Sequence, residues 1–178
     1  MRMNSIGIRE FDEFDFQFYT ECLSDEKWRN SYGDRENYNN LDELVLERLK
    51  DYPFVKRYII FNKNNKKLAF IVSDFKEKDS DQCIMAGGVS PKLVGQGYGV
   101  KSTIIFCCHI FANFPKINNI VAYHQNEFSE RMLLKIGFII ADSSNAENPG
   151  NNKLVIDKKK FPNSFCRRLI NRLDYVEK

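Results

Sequence analysis

The chain has 178 residues and a formal net charge of +3, the length of one ordinary domain with no need of a second core. Hydrophobic residues make up 43% of it and charged residues 29%, a globular balance that excludes disordered and collagen-like chains. No apolar run reaches the ~18 residues of a membrane span, so no membrane partner is expected.

Charge is uneven along the chain. Residues 1–52 hold thirteen Asp or Glu against seven Lys or Arg, while residues 158–178 hold seven basic against two acidic side chains. Both ends read first as solvated faces; the sharper readings are an acidic surface that draws a cationic amine and a basic tail that meets phosphate. Nucleic acid is not expected among the partners. The five cysteines, Cys22, Cys83, Cys107, Cys108 and Cys166, form no Cys-x-x-Cys pair and have no histidine at zinc spacing. That predicts reduced, mostly buried thiols and no metal. The opening residues Met1 to Ser5 carry no signal-peptide pattern, which with reduced thiols makes the cytoplasm the expected compartment.

In chain order, Ser5–Glu10 alternates, with Ile6 and Ile8 on one face, as a half-buried strand does. Asp12 then caps a helix whose apolar positions are Phe16, Tyr19 and Leu23. Residues 24–40 are polar, with Trp28, Tyr32 and Tyr38 scattered through a loop or broken helix. Those aromatics either wall a ligand site or plug the core. Asn40 opens a further helix with Leu41, Leu44, Val45 and Leu49 on one stripe and Pro53 beyond its end. Val55–Phe61 and Leu68–Val72 predict a hairpin about a polar turn at 62–66, and Cys83–Val89 continues the antiparallel meander.

From Ser90 to Gly99 a strand passes through Gly95, Gly97 and Gly99 into a helical pattern. Strand, glycine loop and helix in that order present backbone N–H groups and the positive end of a helix dipole, which is an anion site. The loop lacks the Lys-Ser/Thr ending of a P-loop and the spacing of a dinucleotide fingerprint, and its bland reading is a flexible turn. Val100, Ile104, Cys107 or Cys108, Phe111 and Phe114 then recur at steps of three and four, a buried helix stopped by Pro115. Ile117–Tyr123 returns by a right-handed crossover and lies parallel to the strand before the loop. The glycine loop and Asn126 thereby reach the carboxyl ends of two neighbouring strands, where open sheets bind ligands.

Asn126 is an N-cap, Phe128, Met132 and Ile136 are the expected inner face of its helix, and Gly137 the C-cap. Ile139–Ile140 and Leu154–Ile156 are short strands separated by a polar loop at 143–152. Residues 161–176 carry Phe165, Leu169, Ile170 and Leu173 at helical spacing, which predicts an amphipathic closing helix, or more sharply a partner-binding one.

Two segments in this order and separation resemble the motifs of the GNAT superfamily of acetyl-coenzyme A dependent N-acetyltransferases. Val94-Gly95-Gln96-Gly97-Tyr98-Gly99 looks like the pyrophosphate motif Gln/Arg-x-x-Gly-x-Gly/Ala. Asn126 to Phe138 looks like Asn-x-x-Ser-x-Arg-x-Leu-x-Lys-x-Gly-Phe, the form of the branch with the ribosomal-protein N-terminal (alanine) acetyltransferases. The likeness spans residues 5–157, most strongly 87–138. It implies an α/β fold, α+β by strict count: a mixed, mostly antiparallel central sheet of about seven strands flanked by helices, with a C-terminal amphipathic helix. One acetyltransferase domain would occupy 1–178, its basic helical extension at 159–178, as a monomer or homodimer. Two positions depart from the pattern: Val94 stands where Gln or Arg is usual, and Leu133 where many members have a tyrosine acid.

The resemblance also assigns a site. The N–H groups of Gly95, Gln96, Gly97, Tyr98, Gly99 and Val100 would cradle the pyrophosphate of coenzyme A, with Lys92 or Lys101 supplementing the charge absent at Val94. Gly87, Gly88 and Val89 would bind the pantetheine arm and polarise the thioester in a splay between the two strands, while Asn126, Ser129, Arg131 and Lys135 complete the cofactor set. Ser129 would protonate the leaving thiolate, with Asn126 holding the arm or the helix mouth. His124 is the leading base because it titrates near neutral pH at the strand's end; Asp79 or Asp81 through water is second, and a partly buried structural histidine is the plain reading of His124. His109 reads as structural. Trp28, Tyr32 and Tyr38 are the expected acceptor wall.

The implied reaction is direct acetyl transfer from acetyl-CoA to a primary amine in a ternary complex, without a covalent cysteine. An amino sugar, a polyamine, a small amine and a peptide N-terminus are all open as acceptors. Val94, Leu133 and the lack of a carboxylate on Cys83–Val89 keep open a non-catalytic acyl-CoA-binding or regulatory protein, and the basic tail an interaction module.

Overall fold

Branched and aromatic residues on either side of a polar turn form the hairpin at the centre of the sheet, β2 (Val55–Asn62) and β3 (Lys67–Asp74). The computed structural model describes residues 6–26, 28, 45, 50, 52–124, 126–141, 152–161 and 175–177. Around the hairpin it sets β1 (Ile6–Glu10), β4 (Gln82–Val89), β5 (Asn119–His124), β6 (Ile139–Ile140), β7 (Asn152–Asp157) and β8 (Tyr175–Glu177). All lie in one eight-stranded sheet ordered β6-β7-β5-β4-β3-β2-β1-β8. The β4–β5 and β1–β8 pairs are parallel and the others antiparallel, as the crossover between β4 and β5 requires.

Helices cover both faces, so the central strands are apolar on both sides. On one face α2 (Tyr98–Asn113) and α3 (Glu127–Ile136) bury Ile104, Phe106, Leu133 and Ile136 against Tyr58, Ile60, Ile71 and Ile120. On the other, α1 (Phe16–Ser24) buries Tyr19, Cys22 and Leu23, together with Trp28 and Val45, against Ile59, Phe61 and Phe70. Each fully buried apolar side chain contributes about 1.5–3 kcal/mol.

The entry to α1 is fixed electrostatically. Asp12 caps a 3-10 turn at Glu13–Asp15 by accepting the Phe14 N–H at 2.9 Å. Asp15, fully buried, accepts the Asp12 N–H at 2.9 Å, both guanidinium arms of Arg9 at 2.6 and 2.7 Å, and Lys67 Nζ at 2.8 Å. One carboxylate thus ties β1, β3 and the start of α1 together.

Three expectations are corrected. Phe16 is 41% exposed: it is the first residue of α1, at the helix end, and the buried stripe is Tyr19, Cys22 and Leu23. Phe128 is 84% exposed. At 3.6 residues per turn it stands about 140° round α3 from Leu133, whose burial with Ile136 sets the inner side. The closing helix expected through Val176 does not extend to the end, since Tyr175–Glu177 is β8, parallel to β1. Without it β1 would present unpaired N–H and C=O groups as a sheet edge. Lys158–Lys160 is a turn and Phe161 is buried against Phe111, ring centroids 5.6 Å apart, while residues 162–174 lie outside the described residues. Of the helix expected from Asn40, only Val45 is described before its end, helical and fully buried. Among the described residues no helix is long and apolar enough to cross a membrane.

Candidate active site

The parallel strands β4 and β5 pair from Gln82↔Asn119 to Met85↔Ala122 and then part. Beyond that point β4 stays with β3 to Val89, and β5 goes with β7 to His124. Which groups face the opening follows from the register. Ser90 N–H donates to Leu68 O at 2.8 Å, so Ala69↔Val89 is a non-hydrogen-bonded pair. The amides of Val89, and of Gly87 two residues earlier, therefore point away from β3 into the gap. Exposure agrees, for Ala86 and Gly87 are exposed although β4 is an interior strand. Gly87 has φ +148°, and a Cβ there would lie 2.3 Å from Phe70 O, so the strand bends here only as glycine.

At the carboxyl end of β4 a 3-10 turn, Pro91–Leu93, leads into the glycine loop. Gly95 and Gly97 are left-handed, with φ of +81° and +77°, and a Cβ on either meets nothing within 4 Å among the described residues. Gly97 is the N-cap of α2. The Gln96 N–H is taken by Leu93 O, and Gln96 Nε2 turns back to Lys92 O at 3.0 Å. The N–H groups of Gly95 and Gly97 have no partner among the described residues, and the first-turn amides from Tyr98 to Lys101 have none within the helix. A row of amides before open space, at the positive end of a sixteen-residue helix, is an anion cradle. Gly99 acts in packing instead, since a Cβ there would meet Met132 Sδ at 2.9 Å, and its absence lets the mouths of α2 and α3 approach.

Side-chain support for the cradle is thin. Val94 is 64% exposed, Lys92 is exposed with Nζ 3.7 Å from Glu21, and Lys101 Nζ lies 5.1 Å from the Tyr98 ring centroid. In α3, Asn126 Oδ1 accepts the Ser129 N–H at 2.8 Å, which makes Asn126 a helix cap. Ser129 is half-buried in the first turn. Arg131 pairs with Glu127 at 3.1 Å, both exposed, and Lys135 is exposed in the last turn. Leu133 is buried at 3% exposure and supplies no acid. His124 ends β5 and borders the gap, but its imidazole is outside the described structure.

Asp79 and Asp81 are removed as bases by position. They precede β4, roughly 20 Å along the strand from Gly87, and Asp79 pairs with Lys116 at 2.5 Å. His109 is as expected structural, packed on Tyr58 with ring centroids 5.0 Å apart. Burial pushes the Cys22 and Cys83 thiols up to about 12, which leaves these two without thiolate character at neutral pH, while Cys107 and Cys108 lie inside α2.

Two features of the gap were absent from the expectations drawn from sequence. Ile120 and Ala122 pack on the α2 face, so Tyr123 alternates to the α1 side, where it is 40% exposed. That parity was legible in the strand. Trp28, read from the sequence as either a ligand wall or a core plug, is 5% exposed, as a plug is, and its indole N–H donates to Val89 O at 2.7 Å. Tyr32 and Tyr38 lie outside the described residues. Beside Trp28 an open cleft of about 520 Å³ runs between α1 and Ser90–Lys92, lined among others by Glu21 and Asp25.

An amide cradle adjoining a strand gap with inward donors fits a diphosphate that continues into a carbonyl-bearing arm, which is the outline of coenzyme A. No protein-family model matches the chain, and no curated protein matches it. Solved structures do. Aminoglycoside acetyltransferase AAC(6')-Ib in complex with ribostamycin and coenzyme A superposes with a TM-score of 0.74 at 18% identity, over 90% of this chain and 99% of that one. Spermidine N-acetyltransferase from Vibrio cholerae, in complex with coenzyme A and spermine, gives 0.69 at 12% identity over 89% and 99%. An uncharacterized protein from Bacillus halodurans gives 0.76 at 14% identity over 96% and 93%. At these identities the likeness is one of fold, and the chain has the GNAT-like fold that these acetyltransferases share.

Proposed function

We propose that the protein is an acyl-CoA-dependent N-acetyltransferase that moves an acetyl group from acetyl-CoA to a primary amine by direct attack. The observation that carries this reading is the parting of β4 and β5 next to the left-handed glycines Gly95 and Gly97, which supports a diphosphate cradle adjoining inward strand amides. The two complexes with coenzyme A and an amine on the same fold support it.

Gly95 and Gly97, with the first turn of α2, hold the diphosphate, and the Gly87 and Val89 amides hold the arm and the thioester carbonyl. Coenzyme A supplies an activated acyl group with a thiolate leaving group. An N–H aimed at the carbonyl oxygen lowers the barrier as that oxygen gains charge. The acceptor reaches the gap from the α1 side, because α2 and α3 cover the other. Glu21 and Asp25 outnumber Lys92 on that side, which leaves a weakly negative rim open to a cationic amine. The amine's proton passes through water to His124 at the end of β5, and Ser129 returns one to the thiolate. The ribosomal-protein branch, read from residues 126–138, makes a peptide N-terminus one acceptor to test beside polyamines and aminoglycosides.

Release of free thiol from acetyl-CoA over an amine panel is the test. Turnover with at least one amine, reduced roughly a hundredfold to ten-thousandfold in Ser129→Ala with acetyl-CoA affinity kept, is expected. Binding without thiol release for every amine would replace the enzyme with a non-catalytic acyl-CoA-binding protein, and an unchanged rate in Ser129→Ala would remove Ser129 as the acid.

A further inference from the structure

Trp28 stands just beyond α1, its backbone N–H held by Asp25 Oδ1 at 2.8 Å. Its ring belongs to the α1-face cluster with Tyr19, Leu23 and Phe70. It also lies directly over β4: a Cβ on Gly88 would sit 3.0 Å from the indole nitrogen and 3.3 Å from Cε2. The indole N–H then reaches across 61 positions of sequence to Val89 O. That carbonyl is one of the strand groups the register turns into the gap, so the bond is made inside the candidate site and not in the core behind it.

We infer that Trp28 is a positioning residue of the transfer site: it takes the gap-facing carbonyl of Val89 and roofs the α1 side of the gap over Gly88. Two consequences follow. With one lone pair of its carbonyl engaged, Val89 offers a ligand chiefly its N–H, so that end of the gap is biased towards donors, as a ligand rich in carbonyls requires. The ring also closes the space beside Gly88, which limits the acyl group to a short one. The inference rests on the proposed acyl-CoA reading of this gap and adds to it what sets donor polarity and acyl length.

The experiment is calorimetric titration of full-length wild type, Trp28→Phe and Trp28→Ala with acetyl-CoA, butyryl-CoA and free coenzyme A, alongside thermal melts. Wild type is expected to prefer acetyl-CoA to butyryl-CoA at least tenfold. Trp28→Phe keeps a ring and loses the donor; it should weaken acetyl-CoA about two- to tenfold while free coenzyme A changes less. Trp28→Ala opens the roof and should bring butyryl-CoA to within about threefold of acetyl-CoA. If the Ala variant does not fold, the Phe variant decides alone. Equal weakening of all three ligands, or unchanged affinities with an unchanged preference, overturns the inference and leaves Trp28 a core residue. Failure of wild type to bind any of the three would instead overturn the acyl-CoA reading itself.

Discussion

Single residues do two kinds of work here. Asp15 is structural: burial alone would raise its pKa, but the hydrogen bonds from Arg9, Lys67 and the Asp12 amide outweigh that and hold it at about 2, below the ordinary 3.8. A carboxyl whose pKa is lower folded than unfolded stabilises the protein above its unfolded pKa and loses that contribution as pH falls through the folded value. Asp15→Asn should therefore cost roughly 3–5 kcal/mol near neutral pH by leaving Arg9 and Lys67 without their buried partner. In urea unfolding at a series of pH values, the deficit should hold from pH 7 to 5 and shrink between about pH 4 and 2; a deficit independent of pH would refute the assigned ion pair. Gly87 and Trp28 border the gap; the family resemblance set Gly87 on the cofactor arm and Trp28 read as a wall or a plug, but the contacts that fix each were not legible. A glycine in a strand says that something lies close, and only the fold says that it is Phe70 O. Trp28 read as one of three loop aromatics because a bond spanning 61 positions leaves no periodic trace.

At the scale of elements the glycine loop was the most legible part, since strand, alternating glycines and helix encode backbone geometry directly. The structure adds the division of labour: Gly95 and Gly97 are left-handed and open in front, while Gly99 serves helix packing. Gly97→Val, strained at φ +77° by about 1–2 kcal/mol and blocking the cradle, should weaken acetyl-CoA roughly a hundredfold or more. The melting temperature should fall only modestly; affinity equal to wild type, measured by calorimetry, would move the phosphate site elsewhere. The capped ends of α3 were equally readable, because Asn126 and Gly137 are chemical signals local to their positions. Its facing was less so: Phe128 was placed inward by spacing from Met132, yet the sheet lies on the side of Leu133 and Ile136. The tail illustrates the same limit, its helical spacing giving way at Tyr175–Glu177 to the demand of an unpaired β1 edge.

For the whole molecule, the antiparallel β2–β3–β4 meander and the parallel β4–β5 pair followed from connection rules applied to the sequence, and the mixed sheet appears as expected, while the places of β1, β6, β7 and β8 in it did not follow. What those rules do not contain is where two paired strands separate. That point comes after Met85 and Ala122, next to Gly87 with its φ of +148° and to Gly88 beneath Trp28, while β5 runs on beside β7 to His124. In the proposed function it is also what makes the sheet and the nearby glycine loop a site for an acyl thioester. Calorimetric titration of the wild-type chain with acetyl-CoA tests this most directly. One ligand bound per chain, with binding lost on Gly87→Ala while the melt stays cooperative, is the predicted result; no heat with acetyl-CoA, or full affinity in Gly87→Ala, would contradict it.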